Sequence, residues 1–357
     1  MTVKNAETTE NAKIAIYGAG AMGTVLGSFL TLGGLKNVWL INRNEAHVAG
    51  LKAQGAKIFC TADGEEKLAK VQAITPQEMQ GKYDVVFLMT KQRQNKDILQ
   101  FLLPYLHENS VVCTTQNGLP EASVAEVVGE DRTFGGVASF GATFLGEGKV
   151  ELTSKLQAMR MQIAPYGKQA KENEKTALLA DILSHVNKVA GCADFAQVTD
   201  NLQGARWSKL AINAAFSGLS VVTGLTFGEI AKRRSTKKIA LGILRECMDV
   251  ATAQGVALEP MQGHDMQSLL GGRGFFKTKF ALLILPFAMK KHKKLLSGML
   301  KDVQNGKKCE IDYVNGVVCR EGKKAGVQTP LCDKVVEIVH GIENGLYEIT
   351  PENVKFL

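Results

Sequence analysis

The chain has 357 residues, enough for two domains and a sizeable core, and its 45% hydrophobic and 22% charged content is that of a globular protein rather than a disordered or fibrous one. The formal net charge of +8 is spread along the sequence without an aromatic-interleaved basic motif, which argues against a nucleic-acid partner and fits anionic small molecules. Seven scattered cysteines without C-x-x-C spacing argue against a disulfide framework and a metal site, and the polar residues 1–10 lack the apolar core of a signal peptide, so a reduced, cytoplasmic protein is expected.

The first strand is expected at 13–17, and it runs into Gly18-Ala19-Gly20-Ala21-Met22-Gly23, followed by an apolar-periodic helix over 22–32. Strand, turn and helix are the context that a G-x-G-x-x-G match requires. Gly18 permits the tight turn, Gly20 lets a pyrophosphate approach the backbone, and Gly23 lets the helix lie close to the strand. The helix N-terminus adds N–H donors and a partial positive charge. A second strand, 37–41, ends in Asn42-Arg43-Asn44. A dinucleotide site that prefers NAD places an acid about 20 residues past the glycines, on the ribose 2′-hydroxyl. Arg43 stands there instead, and a guanidinium pairs with a 2′-phosphate. The expected cofactor is therefore NADP(H).

Further strands are expected at 57–60, 84–89 and 110–115, with helices at 45–54 and 94–103, which together indicate βαβ units and a parallel sheet. Lys91 and Asn117 each follow a strand and lie where such sheets bind ligands. Asn117-Gly118 is also an ordinary turn signal. Over 135–165 glycines and β-formers mix, and extra antiparallel strands extending the sheet are expected, followed by a helix over 172–189.

From residue 199 the pattern turns to long helices, at 200–222, 226–231, 237–254, 295–303, 309–325 and 333–344. The expected domains are thus 1–198 and 199–357. Lys209, Asn213 and Ser217 are spaced i, i+4, i+8 on an otherwise apolar helix, so they form a polar stripe. It is either a solvated face or the lining of a site in which a lysine of lowered pKa donates a proton. Glu310 and Asp312 cannot share a helix face; Glu310 is the one expected to face a site and Asp312 to be solvated. The longest apolar stretch, 280–289, is too short to span a bilayer and carries Pro286. A buried helix or a lid packed on the second domain is expected, with a membrane-surface helix as the alternative, and no membrane partner is expected.

These pieces resemble the ketopantoate reductase (2-dehydropantoate 2-reductase) family over residues 13–167 and 199–330. The landmarks are the glycine fingerprint, Gln116-Asn117-Gly118, Trp207-Ser-Lys209-Leu-Ala-Ile-Asn213, and Met299-Leu-Lys-Asp302 leading to Glu310-Ile-Asp312-Tyr-Val-Asn315-Gly316. The resemblance implies an α/β fold: an N-terminal Rossmann-type domain and a C-terminal all-helical domain of the 6-phosphogluconate dehydrogenase C-terminal type, with the active site in the cleft. It implies NADPH-dependent reduction of a 2-oxo acid, ketopantoate first, which would place the chain in pantothenate and coenzyme A synthesis. It makes Lys209 the general acid and gives Glu310 contact with substrate and a part in organising the site. Asn117 and Asn213 would position cofactor or substrate, and Lys91 would lie near the cofactor. Three departures concern the substrate pocket. Gly298 stands where the family has a serine, with Ser297 one residue earlier as a possible substitute; Ser217 replaces a second asparagine; and 267–294 is an insertion relative to smaller members. Other readings are a reductase of another 2-oxo acid, an opine-type dehydrogenase that reduces an imine, and an NADP-binding sensor. The long apolar helices of the second domain are compatible with a homodimer.

Overall fold

The computed structural model describes residues 9–167, 173–260 and 263–357. Most of the N-terminal tract read as lacking a signal peptide, and residue 172 of the expected 172–189 helix, lie outside them. The chain divides into two compact units, residues 1–116 with 120–202, and residues 117–119 with 203–357.

In the first unit, β1 (Ile14–Tyr17) lies between β2 (Val38–Ile41) and β6 (Tyr83–Leu88), parallel to both, and β7 (Leu106–Thr114) and β8 (Thr133–Ala138) continue the parallel set. β11 (Met161–Pro165) adds antiparallel to β8, and β12 (Ala196–Val198) and β5 (Gln72–Ile74) close the two edges. The central strands are buried on both faces, as parallel strands covered by helices must be. The chain leaves β1 for β2 on one side and returns to β6 on the other, so the switch point lies at the carboxyl end of β1, where the glycine loop begins. Helices α1 (Ala21–Leu32), α2 (Glu45–Gln54), α3 (Asn95–Leu102), α4 (Glu121–Val128) and α5 (Glu174–Ala190) belong to this unit.

Two expectations are corrected here. The strand near 57–60, β3 (Ala56–Cys60), is not in the parallel sheet. It pairs with β4 (Glu65–Ala69) and with β10 (Lys149–Leu152) of the hairpin begun by β9 (Ala142–Gly146), making a separate four-stranded sheet. The short β5 takes the place beside β2 instead. Its single buried pair, Ala73 and Ile74, gives too little periodicity to be seen in sequence. Of the strands expected over 135–165 to extend the parallel sheet antiparallel, only β11 does so.

The second unit is helical: α6 (Leu202–Ile212), α7 (Gly218–Thr223), α8 (Phe227–Lys232), α9 (Arg234–Ala253), α10 (Met266–Leu270), α11 (Phe275–Ala288), α12 (Gly298–Gln304), α13 (Ile311–Ala325) and α14 (Pro330–Glu343). Thr226 starts α8 with a reciprocal capping box to Glu229. The buried Glu246 carboxylate accepts the backbone N–H groups of Leu331 (2.8 Å) and Cys332 (2.9 Å), so α9 caps the start of α14. Pro330 occupies the first turn there, where it lacks an N–H that would need a partner. No helix among the described residues is long and apolar enough to cross a membrane.

The helix expected over 200–222 is continuous but changes pitch. Between α6 and α7, Asn213–Ser217 forms a π turn. The Asn315 side chain, fully buried on α13, donates from Nδ2 to the Ala214 carbonyl at 3.1 Å. Its Oδ1 has no hydrogen-bond partner and faces Gly218, where a Cβ would lie only 2.6 Å away. Gly218 is therefore the notch that admits the amide, although glycine inside a helix costs about 1 kcal/mol against alanine. Gly218→Ala is expected to lose about 1–3 kcal/mol by overpacking despite its better helix propensity. Chemical denaturation measures this, and an equally stable or more stable variant would contradict the notch.

Candidate active site

On the first unit, the site begins with the three glycines, each held by a different contact. A Cβ on Gly18 (φ +98°) would meet the Thr90 backbone nitrogen at 2.7 Å, and one on Gly23 would meet the Gly18 carbonyl oxygen at 2.7 Å. Both contacts are internal to the fold. A Cβ on Gly20 would meet only the Gly18 carbonyl oxygen, at 4.0 Å. Gly20 thus keeps open space in front of α1, whose first turn carries no side-chain cap and no acid. Open space at a helix N-terminus suits a phosphate, so the residues present fit a dinucleotide.

The loop's shape is fixed by one carbonyl. Ala19 O accepts from Asn42 Nδ2 (2.8 Å), Thr24 Oγ1 (3.1 Å) and His47 Nε2 (3.0 Å). His47 is fully buried, and its Nδ1 accepts the Gly148 N–H at 3.0 Å. A carbonyl can only accept and an amide N–H can only donate, so the ring carries its proton on Nε2 and is neutral. Burial holds its pKa below the ordinary histidine value, in the same sense. Sequence reasoning missed Asn42, Thr24 and His47. The only signal was a histidine on the buried side of α2.

Arg43 lies exposed just beyond β2, with Nη1 donating to Gln94 Oε1 at 3.1 Å. Asn44 beside it caps α2 by accepting the His47 N–H. No acid stands at the end of β2. Lys91 is exposed at the end of the turn after β6, immediately before the short helical turn Gln92–Gln94. Gln116, a sequence landmark whose bracing role is seen only here, ties this region together: its Nε2 donates to the Thr90 carbonyl (2.8 Å) and to Asn95 Oδ1 (2.6 Å), and its Oε1 accepts from Asn95 Nδ2 (3.0 Å).

On the second unit, Lys209, Asn213 and Ser217 are each half-buried, with Ala214, Ala215 and Phe216 buried between the last two. In a regular α-helix an i, i+4, i+8 series drifts by about 80° around the axis. A π turn of about 4.4 residues reverses the second step, so Ser217 returns close to the azimuth of Lys209. The turn straightens the stripe, which spacing alone did not reveal. Burial lowers the Lys209 ammonium from its ordinary value to about 8, and the charge of Arg206 on the same helix pushes the same way. Asn213 Nδ2 lies 3.5 Å from Asn117 Oδ1, a long contact, and Gly118 (φ +79°) makes the turn that places Asn117 there.

Glu310 is the residue before α13, half-buried, and its side chain makes no cap bond. Its position is held by neighbours: the Cys309 N–H donates to Glu343 Oε1 (2.7 Å), and His340 Nε2 lies 2.9 Å from Asp312 Oδ1. Asp312 is exposed, as expected of it, and it also pairs with His340. Burial alone would lower the His340 pKa, but the Asp312 and Glu343 carboxylates outweigh it and hold it above the ordinary value. The expectation for Ser297 is corrected. It is buried as the N-cap of α12, its Oγ accepting the Met299 N–H at 3.1 Å, so it does not replace the hydroxyl missing at Gly298. A Cβ at Gly298 would meet nothing within 4 Å.

Two family models match the chain: "Ketopantoate reductase PanE/ApbA" over residues 14–165 and "Ketopantoate reductase PanE/ApbA C terminal" over 201–343. A curated 2-dehydropantoate 2-reductase of Lactococcus lactis subsp. lactis (strain IL1403) is 28% identical, covering 93% of this chain and 98% of its own length. One from Mesorhizobium japonicum is 26% identical over 94% and 99%. Among solved structures, a D-mandelate dehydrogenase with NADH and anilino(oxo)acetate superposes with a TM-score of 0.77 at 26% identity, covering 93% of this chain and 99% of that one. A PanE/ApbA family ketopantoate reductase from Ralstonia eutropha JMP134 gives 0.75 at 25% identity over 93% and 99%. With its parallel-sheet unit, its helical unit and both family models matched in order, the chain belongs to the ketopantoate reductase family of NAD(P)-dependent oxidoreductases.

Proposed function

We propose that this protein reduces a 2-oxo acid with NADPH, ketopantoate being the first candidate, with Lys209 as general acid. The observation that carries the reading is the Lys209 amine: burial brings its pKa to about 8, so at neutral pH it is a charged proton donor with a strong tendency to give the proton up. A bound NADPH supplies the hydride to the carbonyl carbon. As the carbonyl oxygen gains the electron pair of the C=O bond, the Lys209 ammonium transfers a proton to it, yielding the 2-hydroxy acid, and the amine regains its proton from water. Asn213, Ser217 and Asn117 orient the substrate's oxygens, and Glu310 completes the polar lining. Gly18 to Gly23 hold the pyrophosphate, Lys91 serves the cofactor, and Arg43 meets the 2′-phosphate.

The absence of an acid at the end of β2 supports NADPH over NADH. The neighbouring D-mandelate dehydrogenase was solved with NADH, so the cofactor choice rests on Arg43. A second reading, reduction of a 2-oxo acid with a larger side chain, is favoured by the open space at Gly298 and by the anilino(oxo)acetate in that structure. Following NADPH absorbance with ketopantoate and with benzoylformate tests both. A kcat/KM above about 10⁴ M⁻¹s⁻¹ for ketopantoate supports the first reading. The same value for benzoylformate alone supports the second, and turnover of neither refutes both.

Two substitutions test the residue roles. Lys209→Ala is expected to lower kcat by about 10²–10⁴ with the Kd for NADPH unchanged, measured by steady-state kinetics and fluorescence titration. Unchanged kcat removes the general-acid role. Arg43→Ala is expected to raise the KM for NADPH about 10- to 100-fold, the worth of a charged hydrogen-bonded pair, and to leave that for NADH nearly unchanged. Equal effects on both cofactors remove the 2′-phosphate contact.

A further inference from the structure

The helix α11 (Phe275–Ala288) is not the fully buried helix that was one expectation for this stretch, although it does pack on the second unit. It is anchored to the second unit by one side: Ala281 and Leu285 are buried. Arg245 of α9 fixes the preceding loop, donating to the carbonyls of Leu270 (3.0 Å) and Gly272 and to Thr278 Oγ1 (3.1 Å). The opposite side carries an apolar stripe in open view. Phe276 is 83% exposed, Phe287 73%, Leu283 65% and Phe280 52%. At 100° per residue these four fall within an arc of about 60°, roughly opposite Ala281 and Leu285.

Charge frames the stripe. Lys277 and Lys279 fall on its two margins, and Lys290, Lys293 and Lys294 follow the helix end. Between residues 266 and 296 the sequence holds seven Lys and Arg and no Asp or Glu. Arg273 pairs with Asp249 outside this stretch. Leaving rings in water is unfavourable, and leaving several on one helix face marks an interaction surface.

We propose that α11 docks on an anionic phospholipid surface, with Phe276, Phe280, Leu283 and Phe287 entering the acyl boundary and the flanking lysines meeting the headgroups. A helix with apolar residues on one side and lysines at the margins lies in the interface plane. The rings project from a convex helix, and a fluid apolar phase receives them without a shaped groove. A second copy docking by the same patch, as two-fold symmetry requires, would set this acid-free cationic segment against itself. The negative surface potential of a lipid leaflet complements it instead.

The test is sedimentation of the full-length protein with vesicles of phosphatidylcholine alone and of phosphatidylcholine mixed with phosphatidylglycerol. Binding to the mixed vesicles, lost at high salt and absent on phosphatidylcholine alone, is expected. Each of Lys277→Gln and Lys279→Gln should weaken it about fivefold. The triple variant F276S/F280S/F287S, altered only at exposed positions, should abolish it with thermal unfolding unchanged. Failure to sediment with either vesicle, equal binding by the triple variant, or a dimer in solution that the triple variant dissociates would each overturn the proposal.

Discussion

Burying the Lys209 amine beside Arg206 is the constraint around which the helical unit is arranged. Both the loss of water and the neighbouring guanidinium oppose its charge, which is why its pKa falls to about 8. A group held this way stabilises the fold less than a solvated lysine would. The rest of the helix is fixed in place: Trp207, Leu210 and Ala211, next to it in sequence, are buried, and Ser208 Oγ donates to the Glu259 carbonyl at 2.7 Å. The same helix then widens into the π turn and brings Ser217 back into line with Lys209. Asn315 and Gly218 hold that turn, the first by a hydrogen bond to Ala214 O and the second by having no side chain.

The parallel-sheet unit solves a complementary problem, which is to keep a backbone loop open. Gly18 and Gly23 are glycines because the protein itself approaches them closely, whereas Gly20 is a glycine beside open space. Three donors on the single carbonyl of Ala19 keep the loop from relaxing into that space. One of those donors, His47, is tied to the β9–β10 hairpin through Gly148, so the second sheet braces the loop. A rigid loop loses little freedom when it binds a dinucleotide, which favours affinity without further contacts.

Much of this was legible in the amino-acid sequence because it rests on local patterns. The glycine spacing after a strand, the arginine after β2 and the Lys209 stripe are all read within a dozen residues. The change from alternating strands to long helices near residue 199 is equally visible. What was not legible depends on partners far apart in sequence. The separate sheet pairs β3 with β10, about ninety residues later, by a register that no local periodicity encodes. The π turn needs Asn315, 101 residues from Ala214. The pairing of Asp312 with His340 and the capping role of Ser297 were likewise set by tertiary context. The 280–289 stretch is ambiguous for the opposite reason: apolar content by itself predicts burial, and which face of α11 packs on the helical unit is decided by tertiary context.

The pH dependence of kcat with NADPH and the preferred 2-oxo acid tests the central claim most directly. A general acid must be protonated to act, and the folded-state value for Lys209 lies near 8. The rate should therefore be level at neutral pH and fall about tenfold per pH unit above about 8. A rate that stays level up to the ordinary lysine range, about 10.4, or that rises through pH 8, would contradict the account.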